Sequence, residues 1–240
     1  MGKVWIITKR ELSAFFDSLI AYVMIILFLG LSGSFTWLFG SNVFVLGQAN
    51  LDVFYAVAFW SLFFFIPAIT MRMIAEENKA GTIELLITKA VSDGQIVMGK
   101  FLACLILVGI ALACTLPYYI TVSRLGNVDD GAVIGGYLGM LFLASSYIGI
   151  GLFSSSLTQN QIVAFLLALT IGIFFHMLFD VIGAGFTGPI GEFFSYLSIR
   201  THVDSMSRGV IDSRDIIYFI SIIAVSLLAT QIMLSKRNWK

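Results

Sequence analysis

Charge is scarce in this sequence. Among 240 residues only 14 are basic and 14 acidic, 12% in all, and the two sets cancel. No basic excess is available to neutralise a phosphate backbone, which excludes a nucleic-acid footprint and leaves each Lys or Arg to be read by its position. Proline is confined to Pro67, Pro117 and Pro189, so long stretches carry no helix breaker. Cysteine occurs twice, as Cys104 and Cys114 in one apolar run. Ten residues of helix set the two about 80° apart around the axis and at different heights, which rules against a disulfide framework or a metal site. A complete Gly-x-x-x-x-Gly-Lys-Ser/Thr phosphate loop is also missing: the Gly-Lys pairs Gly2-Lys3 and Gly99-Lys100 are followed by Val4 and Phe101. ATP hydrolysis by that route is therefore excluded for this chain.

What is abundant is apolar surface, at 59% of residues. Crossing about 30 Å of hydrocarbon takes roughly 18 or more residues without charge. Five such windows exist: Ser18 to Leu51, Val53 to Met71, Phe101 to Ser123, Gly131 to Phe179 and Ile216 to Ser235. The fourth is too long for one crossing. Its middle holds the polar run from Ser154 to Gln161, costly to place in lipid, so it divides there. The expectation is an all-α membrane protein with six transmembrane helices over residues 19–39, 53–75, 97–122, 132–154, 161–182 and 216–235.

Orientation follows from the basic residues. Arg124, Arg200, Arg208 and Arg214 fall on one side of this arrangement and the other ten on the opposite side, which makes both termini cytoplasmic. The apolar stretch after the N-terminus is longer than a signal-peptide core, and Gly40-Ser41-Asn42 does not resemble a cleavage site, so it reads as a retained anchor. Ahead of it, residues 1–18 place Val4, Trp5, Ile7, Leu12, Phe15 and Phe16 near helical spacing, with Lys9 and Arg10 between them. That pattern predicts an amphipathic helix in the headgroup plane, with Trp5, Lys9, Arg10 and Phe16 as its interfacial residues.

Residues 76–96 form a charged loop between two apolar crossings. After Glu76 and Glu77, Gly81 breaks the helix leaving the membrane. Thr82 is a competent N-cap, Glu84 falls in the first turn and Lys89 in the last, which describes a short helix from about Ile83 to Ala90. Ile83, Leu86 and Ile87 give it an apolar stripe, with Leu85 beside them, suited either to docking a soluble partner or to resting on lipid. Ser92-Asp93-Gly94-Gln95 then has capping-box spacing and opens the third crossing.

Here the residues resemble a family. Pro67-x-x-Thr70-Met71-Arg72, Glu76-Glu77, Gly81-Thr82-x-Glu84-Leu85-Leu86 and Gly99-Lys100 are similar to the signature of ABC-2 type transporter permeases. The resemblance implies that this loop is a coupling helix seated in a groove of a separate ATPase subunit, with ATP and Mg bound there and not on this chain. It further implies two permease chains, identical or homologous, over an ATPase dimer in the bacterial inner membrane. The block from Ser205 to Phe219 and the Lys236-Arg237-x-Trp239 tail resemble the gliding-motility-associated permease of Bacteroidetes, which implies an additional membrane-anchored periplasmic subunit. Copper-centre maturation permeases are similar in the loop as well. Ala90 departs from the proline usual in the family, which bears on where the coupling helix ends.

Other candidates are few. Gly131, Gly135 and Gly139, continued by Ser145 and Gly149, form a small-residue stripe for close helix packing, within the chain or at a dimer seam. His176 and Asp180 are the intramembrane ionisable groups, four residues apart on one helical face. They would serve either as a proton relay or as locally satisfied groups. Residues 183–215 form the longest external segment, where Phe193, Phe194, Tyr196 and Leu197 suggest a short re-entrant piece, as the family resemblance also implies. His202, Asp204, Arg208, Asp212, Arg214 and Asp215 make a charged external rim, with Arg208 and Asp212 spaced as an i,i+4 pair. The resulting reading is a permease subunit without catalytic residues. The rivals are a proton-coupled secondary carrier using His176 and Asp180, and a non-transporting scaffold of a motility machine.

Overall fold

The computed structural model describes residues 2–40, 43–81 and 91–236, and among these helices joined by turns are the regular structure, with no strand. The elements in chain order are α1 (Lys3–Asp17), α2 (Ile20–Trp37), α3 (Val43–Leu46), α4 (Asp52–Thr70), α5 (Ala75–Ala80), α6 (Asp93–Ala113) and α7 (Leu116–Leu125). They continue as α8 (Asp130–Ser156), α9 (Gln161–Ile173), a π-helical turn (Phe174–Leu178), α10 (Phe179–Gly185), α11 (Pro189–Leu197), α12 (Ile199–Ser207) and α13 (Ser213–Ser235).

Six spans among the described residues are long and apolar enough to cross a membrane: Ile20–Trp37, Asp52–Ala80, Asp93–Leu125, Asp130–Ser156, Gln161–Gly185 and Ser213–Ser235. The chain is thus a multi-pass membrane protein. Successive spans alternate direction, Met71 meeting Ser155 at one end and Tyr55 meeting Val133 at the other, so the bundle has a base, where α1 and the last turns of α13 lie, and a crown at the opposite end. The long window splits after Ser156, where Asn160 accepts a hydrogen bond from the Ile162 amide (2.9 Å) and restarts the helix. Ser92 and Gln95 close a reciprocal capping box at the start of α6.

The centre of the bundle is α8, against which α4, α6, α9, α12 and α13 all pack. Small residues make this possible. A side chain at Gly135 would fall on the Met206 carbonyl oxygen of α12, and one at Gly136 on the Tyr55 ring of α4. Gly149 lies against Ser226 of α13, and Gly151 against Thr70 of α4. The small-residue stripe is therefore used within the chain, down to Gly131, whose backbone lies against Gly209 at the end of α12.

Two joints shape the base. Between α1 and α2 the chain turns at Leu19, which takes a left-handed backbone conformation (φ 57°) and stays exposed. Between α4 and α5 the helix is interrupted from Met71 to Ile74. The freed backbone groups are met from α8, where the Ser155 hydroxyl donates to the Met71 carbonyl (2.9 Å) and accepts from the Ile74 and Ala75 amides (3.1 and 3.0 Å).

Candidate functional site

The base of the bundle gathers its charge into one cluster. Lys100, on the first turns of α6, is 1% exposed, and its ammonium lies 2.9 Å from Glu77 of α5 and 3.2 Å from Glu11 of α1. Arg10 joins from α1, bonding both Glu11 and, at 3.3 Å, Glu77. Burial alone would raise the Glu11 carboxyl, but the Lys100 ammonium and the Arg10 guanidinium outweigh it and hold the group below the ordinary carboxylate range. Arg10 is shifted the other way: burial would lower it, and the Glu11 and Glu77 carboxylates hold it above its usual value. The second Glu77 oxygen is buried without a partner among the described residues.

Backbone contact reinforces the charge. A side chain at Gly99 would come within 2.6 Å of Ile7, and the Thr8 hydroxyl is shared between the carbonyls of Val4 (3.0 Å) and Gly99 (3.2 Å). On the second side of α1, Arg72 donates to Ser18 (3.1 Å) and lies 5.6 Å from the Phe15 ring. Helix α1 is thereby bound to the end of the second span and the start of the third. Of its sequence-assigned residues, Arg10 enters the cluster, Phe16 packs edge-on against Tyr22, and Trp5 and Lys9 remain exposed.

The same geometry disposes of a near-match. Gly94 to Lys100 has phosphate-loop spacing up to its lysine, but these residues lie in helix α6, with Gly99 under Ile7 and Lys100 in the ion cluster. No phosphate cradle forms there.

Of the expected coupling segment, Glu76 is exposed, Glu77 sits in the cluster, and Gly81 caps α5 in the left-handed conformation (φ 66°). Thr82, Ile83, Glu84, Leu85, Leu86 and Ile87, and the helix expected over Ile83 to Ala90, lie outside the described residues.

His176 and Asp180 do not pair. The residues from Phe174 to Leu178 form a π turn, which breaks the i,i+4 register, and no hydrogen bond or ion pair joins them. His176 is 1% exposed; its Nδ1 bonds the Tyr147 hydroxyl (2.7 Å), while Phe59 and Phe63 stack on the ring and Trp60 meets it edge-on. Asp180 is half-buried in α10.

The crown differs from the rim expected there. Asp204, Arg208, Asp212 and Arg214 are exposed, but His202 and Asp215 are only 2% and 5% exposed and bond each other at 2.6 Å. His202 Nε2 faces the Tyr196 carbonyl (2.8 Å), which only accepts, so Nε2 carries a proton. Tyr218 stacks on the imidazole and donates to the Leu197 carbonyl (2.6 Å). Arg208 and Asp212 do not form the expected pair, because α12 ends at Ser207 and Gly209 turns the chain (φ 82°). Asp212 instead caps α13 by accepting from the Arg214 amide (2.9 Å), and the i,i+4 pair on α12 is Arg200 with Asp204 (3.6 Å).

Between α4 and α12, over α8, the crown holds a cavity of about 610 Å³ in which Tyr55, Phe59 and Trp60 face Arg200, Asp204 and Arg208. Sequence reading missed both this cavity and the Lys100 cluster. An isolated lysine at the mouth of a long apolar helix was the available signal for the second.

Comparison with known proteins follows this architecture. The model of the ABC-2 family transporter proteins matches residues 55–235. The probable ABC transporter permease protein NosY of Stutzerimonas stutzeri is similar at 25% identity over 199 residues, which covers 76% of this chain and 70% of that protein.

Proposed function

This chain belongs to the ABC-2 family of transporter proteins, and we propose that within it the chain is the membrane permease subunit of an ATP-driven transporter. ATP and Mg are bound by a separate ATPase dimer, which docks on the base. A second permease chain completes the membrane part. The base faces the cytoplasm of a bacterial inner membrane, which puts the Lys- and Arg-rich side on the inside.

The observation that supports this reading most is the charge cluster of Arg10, Glu11, Glu77 and Lys100. It joins α1, α5 and α6 on both flanks of residues 82–90, the segment taken as the coupling helix. A push on that segment from a closing ATPase dimer would then move all three elements together. Ser155 carries the displacement from the α4–α5 joint to α8, and Pro67 lies one turn above that joint. Access along the bundle changes as α4 and α6 tilt against α8. On the resemblance of residues 205–219, the complex serves a gliding-motility or secretion apparatus and takes a membrane-anchored periplasmic subunit as a further partner. The short helices α11 and α12 stand in this reading as the re-entrant pieces of the outward exit.

The test is retention of the ATPase from the same source by the detergent-solubilised chain, wild type against Glu84→Arg with Leu86→Asp. The variant, monodisperse and inserted like the parent, is expected to lose the ATPase. Binding that survives the double change, or no binding by either form, overturns the assignment.

A further inference from the structure

The outer half of α4 has two unlike faces. Asp52, Tyr55, Phe59 and Trp60 turn to the crown cavity of about 610 Å³, whose other wall is Arg200, Asp204 and Arg208 of α12. Around the same helix, Leu31 and Phe35 of α2 and Val57, Phe64 and Phe65 of α4 enclose a second space of about 570 Å³, almost wholly apolar. Ala56 and Trp60 line both, and Trp60 is 45% exposed between them. A chamber of mixed polarity, charged along α12, and a greasy groove thus meet at one indole, a side chain with an apolar body and a polar tip.

We propose that the two spaces are a single binding site for a zwitterionic amphiphile of the phospholipid class, headgroup in the crown cavity and acyl chain in the α2–α4 groove. The charges are specific about the headgroup. Two cations and two anions line the cavity, so neither a purely anionic nor a purely cationic group is complemented. Arg200 is already held by Asp204 at 3.6 Å, whereas among the described residues the side chains of Arg208 and Asp52 make no hydrogen bond or ion pair, Arg208 meeting Asp204 only through longer-range attraction. Arg208 fits a phosphate, for which a guanidinium offers paired donors, and Asp52 fits an ammonium, with the half-exposed Trp60 indole adding cation–π attraction. Both volumes lie in the range of ordinary ligand sites. The groove alone would accept any alkyl chain, and the combination selects the amphiphile. The inference is independent of which partner drives the helices.

The experiment uses the full chain, purified in dodecyl maltoside, with Trp5, Trp37 and Trp239 changed to Phe so that Trp60 is the remaining indole. Brominated-chain phosphatidylethanolamine is expected to quench it saturably, and brominated phosphatidylglycerol and diacylglycerol to quench only in proportion to their bulk amount. Arg208→Gln with Asp52→Asn, both at exposed positions and compared at matched monodispersity, is expected to weaken the saturable phase about a hundredfold, roughly tenfold for each charge-assisted contact removed. Val57→Phe, which fills the groove, should weaken it without altering headgroup preference. Equal quenching by all three lipids would mean an annular shell only and overturn the proposal. So would full displacement by water-soluble glycerophosphoethanolamine, an unaffected double variant, or a Val57→Phe change that alters the oligomeric state and not the lipid response.

Discussion

Lys100 keeps its ammonium 2.9 Å from the Glu77 carboxylate while almost none of the side chain meets solvent. A lysine so placed is tolerable only with its partners, because removing one member of a buried pair strands the others. Lys100→Met is therefore expected to destabilise the chain by about 2 kcal/mol, below the ~3–5 of a fully dry pair because Arg10 remains and both acids keep some contact with water. Lys100→Met with Glu77→Gln should recover part of the loss. Thermal unfolding of the detergent-solubilised proteins measures both, and a double variant no better than the single would show that the pair is not coupled.

Gly135 and Gly139 lie one turn apart on α8 and face the same helix, α12, yet their room differs. A methyl group at Gly135 would fall on the Met206 carbonyl oxygen, a backbone atom, whereas at Gly139 the nearest atom is the Met206 Cβ at an ordinary 3.5 Å. Gly135→Ala is expected to cost about 1–3 kcal/mol through overpacking and Gly139→Ala less than about 0.5, with helix propensity working in favour of the second. Unfolding midpoints of the two alanine variants should fall in that order. Equal midpoints would mean that α12 shifts freely on α8.

The contrast between these glycines shows where the sequence was legible. The six spans could be read because burying charge in lipid is so costly that its absence over about 18 residues is informative. The breaks at Ser156 and Ser92 were readable for the same local reason, since Asn160 and the Ser92–Gln95 box act within one turn. Long-range partners were not. Lys100 reads as an interfacial residue until Glu11, 89 residues away, is brought beside it. Counting four residues from Arg208 to Asp212 assumed a helix that Gly209 had already ended. His176 and Asp180 failed as a pair because a π turn shifts the register. Polarity alone placed His202 and Asp215 in water, although each gives the other the hydrogen bond that makes burial affordable.

That last pair supports a double-mutant cycle. His202→Phe leaves the Asp215 carboxyl buried without its partner, and Asp215→Leu leaves His202 Nδ1 facing an apolar group. Each single change is expected to cost about 3 kcal/mol, and the double variant roughly the same as either single, a coupling of about 2–3 kcal/mol. Additive losses would instead place the two groups in separate environments.

Docking of α1 on α6 should also depend on pH, with a sign set by Glu11. Lys100 and Arg10 overcome the effect of burial and hold its carboxyl below the ordinary value of 4.5. Between the folded and unfolded values the unfolded chain binds more protons, so stability rises with pH. The Glu11 contribution is complete above the ordinary value and is lost as the pH falls through the lower, folded one. The groups facing Glu11 are Arg10 on its own helix and Lys100 on α6, with Glu77 of α5 across the same cations. For a cluster at the edge of solvent the contribution is about 1 kcal/mol. Amide exchange in α1, followed from pH 7 to below 4 and corrected for intrinsic rates, should show protection fading at the acid end in the parent. Glu11→Gln should be less protected throughout and lack that acid-side loss. An identical acid profile in the variant would mean that α1 is held by its contacts at Gly99 and with Arg72, and not by Glu11.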